Sequence, residues 1–268
     1  MIAEILCVGT EILLGDIVNT NAQYIAKELA RLGISVHYQT VVGDNPQRLK
    51  AALDIGFSRA DIIVMTGGLG PTKDDLTKEM IAEYFGCTLI FDQEAYDRME
   101  RRMFRFGVKQ ISESNRKQAM VPEGSIVLYN DHGTAPGYIL EGHGAKAGKS
   151  AVLFPGPPHE MEPMFKTACA LYLNKVSDKT FVSMNVKIKS RREEAIENVG
   201  ESFVADKITR LLDYENPTVA TYAKEDGVLI RVTASADTRV QALYLIEPVV
   251  REIKELLGST ISGISEAE

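Results

Sequence analysis

The sequence predicts an α/β protein with a doubly wound, mostly parallel sheet, followed by a small α+β domain. Two observations carry this expectation. Short β-branched runs alternate with amphipathic segments through the first 176 residues, which is the pattern of βαβ units. After residue 177 the order changes to strand, helix, two strands, helix. A length of 268 residues leaves room for one large or two modest domains at about 150 residues each.

Taken in order, residues 3–8 are apolar and form the first strand, and residues 21–32 form a helix with Ile25, Leu29 and Leu32 on one face. Residues 34–42 are the second strand. Residues 47–58 form a helix whose Leu49, Leu53 and Phe57 are spaced by four. Ile62, Ile63 and Val64 open a strand that ends in a glycine turn, and residues 76–86 read as the helix after it. Residues 88–91 are a short strand, and residues 93–120 are mostly helical and dense in Arg and Lys. Two strands then flank the turn-rich residues 131–137. A further strand, 151–154, ends in Pro155-Gly156-Pro157-Pro158 before a helix over 159–175. The X-Pro bonds of this corner include a candidate cis peptide; the plainer reading is a stiff corner with Pro at the first helical position. Beyond it come a strand (181–188), a helix (193–212), two strands (218–223 and 228–234) and a helix (240–257). This second domain carries no catalytic cluster and reads as an interface or positioning module. Residues 259–268 lose apolar periodicity and read as the start of a linker.

Composition narrows the function classes. A net charge of −7 argues against non-specific binding to nucleic acid or to an anionic membrane. No apolar run approaches the roughly 20 residues that cross a bilayer. The N-terminus, MIAEILCVGTE, carries acids where a signal peptide has basic residues. Cys7, Cys87 and Cys169 are scattered through apolar stretches and form no CxxC, so they read as reduced core residues of a cytoplasmic protein.

Chemistry concentrates in residues 61–77, DIIVMTGGLGPTKDDLT. An apolar strand ends in Thr66-Gly67-Gly68-Leu69-Gly70, and paired carboxylates, Asp74 and Asp75, stand at the mouth of the next helix. Glycines let the backbone approach a phosphate, and the unpaired N–H groups of a first helical turn point at it. Carboxylates beside such a cradle would repel a phosphate, so they suggest a bridging metal ion or proton transfer. The plain alternative is a capping pattern, Thr72-x-x-Asp75, worth about 0.5–2 kcal/mol. Three glycines within four residues are more than a cap requires. The string is neither GxxxxGK[ST] nor GxGxxG. Ligands of doubly wound sheets bind at the carboxyl ends of the strands. That rule places Gly9-Thr10-Glu11 and Gly43-Asp44-Asn45 on the same edge as the glycine turn. Glu11, Asp44, Asp74 and Asp75 are the oxygen ligands that Mg²⁺-type ions prefer, and Lys73 supplies a positive charge. The four histidines show no HxxxH or HExxH spacing. Residues 192–200 match the Nudix signature REUxEExGU only in part. Glu194 stands where an apolar residue belongs, Ile196 where Glu belongs and Val199 where Gly belongs, so the segment reads as the polar face of a helix.

Four strings together closely resemble the N-terminal region of the CinA competence/damage-inducible family: GTEILLGDIVNTN from Gly9, TGGLGPTKDD from Thr66, GTAPG from Gly133 and FPGPPHEM from Phe154. They stand in family order over residues 9–161. That region is similar in turn to molybdopterin-binding domains of the MoaB/MogA and MoeA type. The resemblance implies a three-layer αβα domain over residues 1–176 and a KH-like domain over 177–258. It also implies ADP-ribose pyrophosphatase activity yielding AMP and ribose 5-phosphate, with a divalent metal (Mg²⁺, Mn²⁺ or Co²⁺) required and K⁺ assisting, in a homodimer. Asp44 and Asp75 match the two acidic positions that act on the substrate phosphate. On this expectation Asp44, Asp75 and Glu11 hold metal and orient water. Lys73 and the amides of Gly67, Gly68 and Gly70 hold the pyrophosphate. Thr10, Asn19, Asn21, Asp74, Gly156, Pro157 and His159 make further substrate contacts. Molybdopterin-binding relatives usually carry GGTG, so the GGLG-PTKDD version favours a nucleotide substrate. Family members commonly carry a C-terminal nicotinamide mononucleotide deamidase domain, and ISGISEAE resembles the junction to it. Two other readings stay open: a non-catalytic module that binds a pterin or nucleotide, and a molybdenum-cofactor biosynthesis enzyme.

Overall fold

The computed structural model describes residues 1–176, 180–189 and 200–267. It divides into two compact units. Met1–Ala30 and Ile34–Ser177 form the first, and Asp178–Glu268 with the turn Arg31–Gly33 form the second.

The first unit runs β1 (Ile2–Val8), α1 (Thr10–Leu14), α2 (Thr20–Arg31), β2 (Ser35–Val42), α3 (Pro46–Arg59), β3 (Ile62–Thr66) and α4 (Thr77–Phe85). It continues with β4 (Leu89–Phe91), α5 (Gln93–Arg105), α6 (Glu113–Arg116), β5 (Met120–Pro122), β6 (Ile126–Leu128), β7 (Gly137–Glu141), β8 (Ser150–Phe154), α7 (Pro158–Met164) and α8 (Ala170–Val176). The main sheet has the order β2-β1-β3-β8-β7-β6. β1 pairs in parallel with β2 and β3, β3 pairs in parallel with β8, and the β6–β7–β8 edge is antiparallel. Every residue of β3 is buried, which explains its continuous apolar reading in place of an alternation. The one carboxylate inside β1, Glu4, is tied by Arg59 through two 2.8 Å hydrogen bonds and by the Thr40 hydroxyl at 2.6 Å. Burial pushes its pKa up, but the Arg59 and Thr40 bonds outweigh that and leave it lowered.

Three expectations change here. Residues 88–91 do form a strand, but β4 pairs with β5 in a separate two-stranded ribbon outside the main sheet. The Pro-Gly-Pro-Pro corner is entirely trans, since the cis peptide among the described residues is Asn216–Pro217; Pro158 does open α7, as the plainer reading has it. The helix expected over 159–175 is interrupted by a π-helical stretch, Phe165–Cys169. Cys7 and Cys169 are buried and Cys87 is half-buried, all as free thiols.

The second unit contains β9 (Thr180–Lys189), α9 (Glu201–Lys207), α10 (Thr209–Leu212), β10 (Thr218–Lys224), β11 (Gly227–Ala236), α11 (Arg239–Leu257) and β12 (Ile261–Glu266). Its sheet has the order β10-β11-β9-β12 and is antiparallel throughout. Ile246, Val249 and Ile253 of α11 join Val186, Ile230 and Val232 of the sheet in one core. The tail expected to begin a linker is instead the edge strand β12, paired with β9. The Nudix-like segment lies outside the described residues, and of the helix expected over 193–212 the described part forms α9 and α10. Among the described residues no helix is long and apolar enough to cross a membrane.

Candidate functional site

The carboxyl ends of β1, β3 and β8 open into a cleft of about 780 Å³. Its floor is the glycine turn after β3. Gly67 and Gly68 hold φ of +98° and +67°, which side chains with a Cβ rarely adopt. A Cβ on Gly67 would also collide with the Val8 carbonyl oxygen, and one on Gly68 with the Thr77 hydroxyl. Gly70 differs: it is not left-handed, and its missing Cβ makes room for Asp75, whose Oδ2 would lie 2.6 Å away. Gly67 N–H is spent on Phe154 O at 3.0 Å. The N–H groups of Gly68, Leu69 and Gly70, three residues that line the cleft, have no protein partner among the described residues.

The helix expected over 76–86 forms with Leu76 and Gly86 as its caps. α4 begins at Thr77, two residues beyond Asp75, and Thr77 is buried. Its N–H donates to Gly68 O at 3.1 Å and its hydroxyl to Gly67 O at 2.8 Å. The helix start is therefore stapled to the underside of the glycine turn, and the turn itself offers the free amides.

Two carboxylates are held in matching fashion. Asp44 Oδ2 accepts from Thr10 N–H at 2.9 Å and from Thr10 Oγ1 at 2.8 Å. Asp75 Oδ2 accepts from Thr72 N–H at 2.9 Å and from Thr72 Oγ1 at 2.6 Å. Each pair fixes one carboxylate oxygen and leaves the other without a protein partner among the described residues. The Thr72–Asp75 pair has half of the geometry of a capping box, but residues 72–75 lie before the helix, so no helical donor is capped. Glu11, Asp74 and Glu160 also line the cleft.

One amide ties α2, the end of β3 and the corner after β8. Asn21 Nδ2 donates to Thr66 Oγ1 at 2.8 Å and to Gly156 O at 2.7 Å, while Thr66 Oγ1 donates to Pro155 O at 3.0 Å. Asn21 is only 8% exposed, and its Oδ1 is buried without a partner. Asn19 caps α2 by accepting from Ala22 N–H at 3.1 Å. Glu160 accepts from Asn130 Nδ2 at 2.6 Å and fills the space left by Gly133.

Comparison with known proteins decides the family. A family model described as "Probable molybdopterin binding domain" matches residues 4–175, and one described as "Damage-inducible protein CinA KH domain" matches residues 193–263. The chain belongs to the molybdopterin-binding-domain family, in its CinA branch. A competence-damage inducible protein of Clostridium acetobutylicum is 47% identical over 99% of this chain and 62% of its own length. One from Clostridium beijerinckii is 48% identical over 97% of this chain and 61% of its own. The chain thus spans about three-fifths of these curated relatives. A crystal structure titled as the protein CinA with unknown function, from Thermoplasma acidophilum, is 34% identical with a TM-score of 0.57, covering 64% of this chain and 97% of that one.

Of the CinA positions singled out in the sequence, the cleft brings together Asp44, Asp75, Glu11, Asp74, Gly67, Gly68, Gly70, Asn19, Asn21, Gly156 and Pro157. Three others fall outside its wall. Lys73 is exposed, is not among the cleft's lining residues, and has no bonded partner among the described residues. Thr10 has both its donors committed to Asp44, so it holds the carboxylate. His159 points to solvent, 3.8 Å from Glu160, and Glu160 faces the cleft in its place. Asp44, Asp75 and Glu11 do not close into a three-ligand centre, because Thr10 and Thr72 hold the two aspartates to different loops. Among the described residues no three His, Cys, Asp or Glu side chains converge on one point. Sequence reasoning missed Gln118, a buried cleft residue 49 positions from the carbonyl it touches, and nothing local in the sequence signals it. Glu160 lay within the FPGPPHEM string.

Proposed function

We propose that the first unit hydrolyses the pyrophosphate of ADP-ribose or a related nucleotide to AMP and ribose 5-phosphate with a divalent metal. One observation carries this reading: among the described residues the cleft wall presents Glu11, Asp44, Asp74, Asp75 and Glu160 but no Lys, Arg or His. Two like unit charges 4 Å apart repel by about 4 kcal/mol at an effective dielectric near 20. Three free amides, at roughly 1.5–3 kcal/mol per charge-assisted bond, match about one or two such repulsions, whereas a pyrophosphate brings more than one charge among five carboxylates. A divalent cation between them resolves the conflict. The donor set fits such an ion, since Mg²⁺ is commonly held by one or two carboxylates together with substrate phosphates and water. One of Asp44 and Asp75, each with an unclaimed oxygen, would hold it, which leaves the oxygen of the other free. When bound, it supplies neutralisation of phosphoryl oxygens and a lowered pKa for bound water.

The chain's own residues do the rest. Gly68, Leu69 and Gly70 N–H groups donate to non-bridging phosphate oxygens. A free oxygen of Asp44 or Asp75 orients a water and takes its proton as the water oxygen bonds to one phosphorus. The bond from that phosphorus to the bridging oxygen breaks, and the bridging oxygen leaves with the other phosphate. One water is thus shared between two phosphomonoesters.

A second reading, a non-catalytic pterin- or nucleotide-binding module, is supported by the description of the family model. Incubation with ADP-ribose and with molybdopterin precursors, each with and without Mg²⁺, separates the two. The hydrolase reading expects AMP from ADP-ribose only with metal; binding without turnover supports the module.

The second unit is proposed not to bind nucleic acid. KH domains clamp nucleotides with a GXXG loop, and the glycines of residues 178–268, at 200, 227, 258 and 263, include no such spacing. A homodimer acting on small molecules in the cytoplasm completes the proposal.

A further inference from the structure

We propose that Lys117, seconded by Gln118, is the positioning residue for Asp75; the catalytic part of this proposal rests on the hydrolase reading above. Residues 69–75 leave the sheet as an irregular loop. Inside it, the hydrogen bonds run from Thr72 to Asp75. From outside, among the described residues, hydrogen bonds reach it at two carbonyls, and both come from neighbouring residues. Lys117 Nζ donates to Asp75 O at 3.3 Å, and Gln118 Nε2 donates to Leu69 O at 3.5 Å. Consecutive side chains thus pin the first and last residues of the loop that carries the carboxylate.

The brace is itself held. Lys117 Nζ pairs with Glu79 Oε1 at 3.2 Å, and its backbone oxygen accepts from Lys78 Nζ at 2.8 Å. Lys78 is 5% exposed and Gln118 3% exposed, so neither is a casual surface contact. The choice of atom matters. An ammonium on the Asp75 carboxylate would compete with a metal or a water for the same oxygen. Placed on the Asp75 carbonyl, it fixes the backbone, leaves the carboxylate oxygen open, and sets positive charge behind an otherwise acidic wall.

The test uses the whole chain as wild type, Lys117→Met and Lys117→Arg. Backbone ¹⁵N order parameters at residues 70–75 are measured beside ADP-ribose turnover with Mg²⁺. Wild type should sit near the rigid value of about 0.85, and Lys117→Met should fall below about 0.6, with Lys117→Arg restoring order. Turnover in Lys117→Met should lose at least tenfold in kcat, with KM within about threefold and partial rescue by Arg. Unchanged order parameters in Lys117→Met overturn the positioning role whatever the activity. A loosened loop with unchanged kcat overturns its link to catalysis. A wild type with no turnover refutes the hydrolase reading instead, and the order parameters then decide the positioning role by themselves.

Discussion

The two carboxylates of the cleft are clamped alike but built by different routes. Asp44 is held by Thr10, 34 residues away, so that pair exists only once α1 and the end of β2 have been assembled by the sheet. Asp75 is held by Thr72, three residues away, inside one loop, and the loop itself is anchored from a distance by Lys117 and Gln118. The difference teaches where each residue's cost falls. A long-range pair is part of the fold, so breaking it costs stability and aim together. A local pair aims a side chain almost independently of the core, so breaking it costs chemistry first.

The sharpest break of this comparison is charge removal. Asp75→Asn and Asp44→Asn should each lower kcat/KM for ADP-ribose at least about a hundredfold, or ~2.7 kcal/mol of transition-state stabilisation. Melting of Asp75→Asn should stay within a few degrees of wild type, while Asp44→Asn melts lower. Equal melting shifts in turnover-silent proteins would dissolve the distinction between the two routes.

Glycine variants divide along the same line. Gly67→Ala places a methyl on the Val8 carbonyl at a left-handed φ, so it should cost about 1–3 kcal/mol and lower the melting temperature by several degrees. Gly70→Ala meets only the Asp75 carboxylate. It should reduce turnover about tenfold while thermal melting is preserved, and a large melting loss would assign Gly70 to the fold.

The threonines sharpen the comparison at lower amplitude. Thr72→Val removes one donor to Asp75, and a several-fold fall in kcat without loss of urea stability is expected. Thr10→Val removes a hydroxyl that donates to Asp44 and also accepts from Asp44 N–H at 3.3 Å. It should cost about 1–2 kcal/mol of stability beside a similar activity loss. If Thr72→Val proves the more destabilising, the local clamp carries more of the fold than its geometry implies.

The smallest effect is a pH signature of the brace. Burial pushes Lys78 from its ordinary 10.5 down to about 8, against an upward pull from Glu79 and with a further push down from Lys117. Between about pH 8 and 10.5 the unfolded chain holds a proton that the native chain has released, so this group makes stability rise with pH across that window. Urea midpoints of wild type relative to Lys78→Met should climb from pH 8 to 10.5. Parallel curves would mean that Lys78 is not desolvated in solution.

Much of the first unit was legible because its helices and strands carry their own periodicity. α3 shows its core stripe through Leu49, Leu53 and Phe57, and β3 shows itself as a run buried on both faces. β12 was hidden because ISGISE is short, Ser- and Gly-rich, and only half-buried at a sheet edge. β4 was visible as a strand, but its partner, β5, about thirty residues on, was not, since pairing is decided by tertiary packing. α1 escaped notice because five residues with none buried leave no stripe to read. At the site, the glycine turn and the acidic residues were legible from composition and loop position. The Thr10–Asp44 pair and the Lys117 brace were not, because their spacing along the chain carries no local signal.

The most direct test of the central claim is a calorimetric titration of the wild-type chain with AMP, in Mg²⁺ and again in EDTA. A cleft lined by carboxylates, with no Lys, Arg or His among its described lining residues, should bind the phosphate at least tenfold more tightly with the metal, a difference of ~1.4 kcal/mol. Equal affinity in Mg²⁺ and in EDTA would contradict the account.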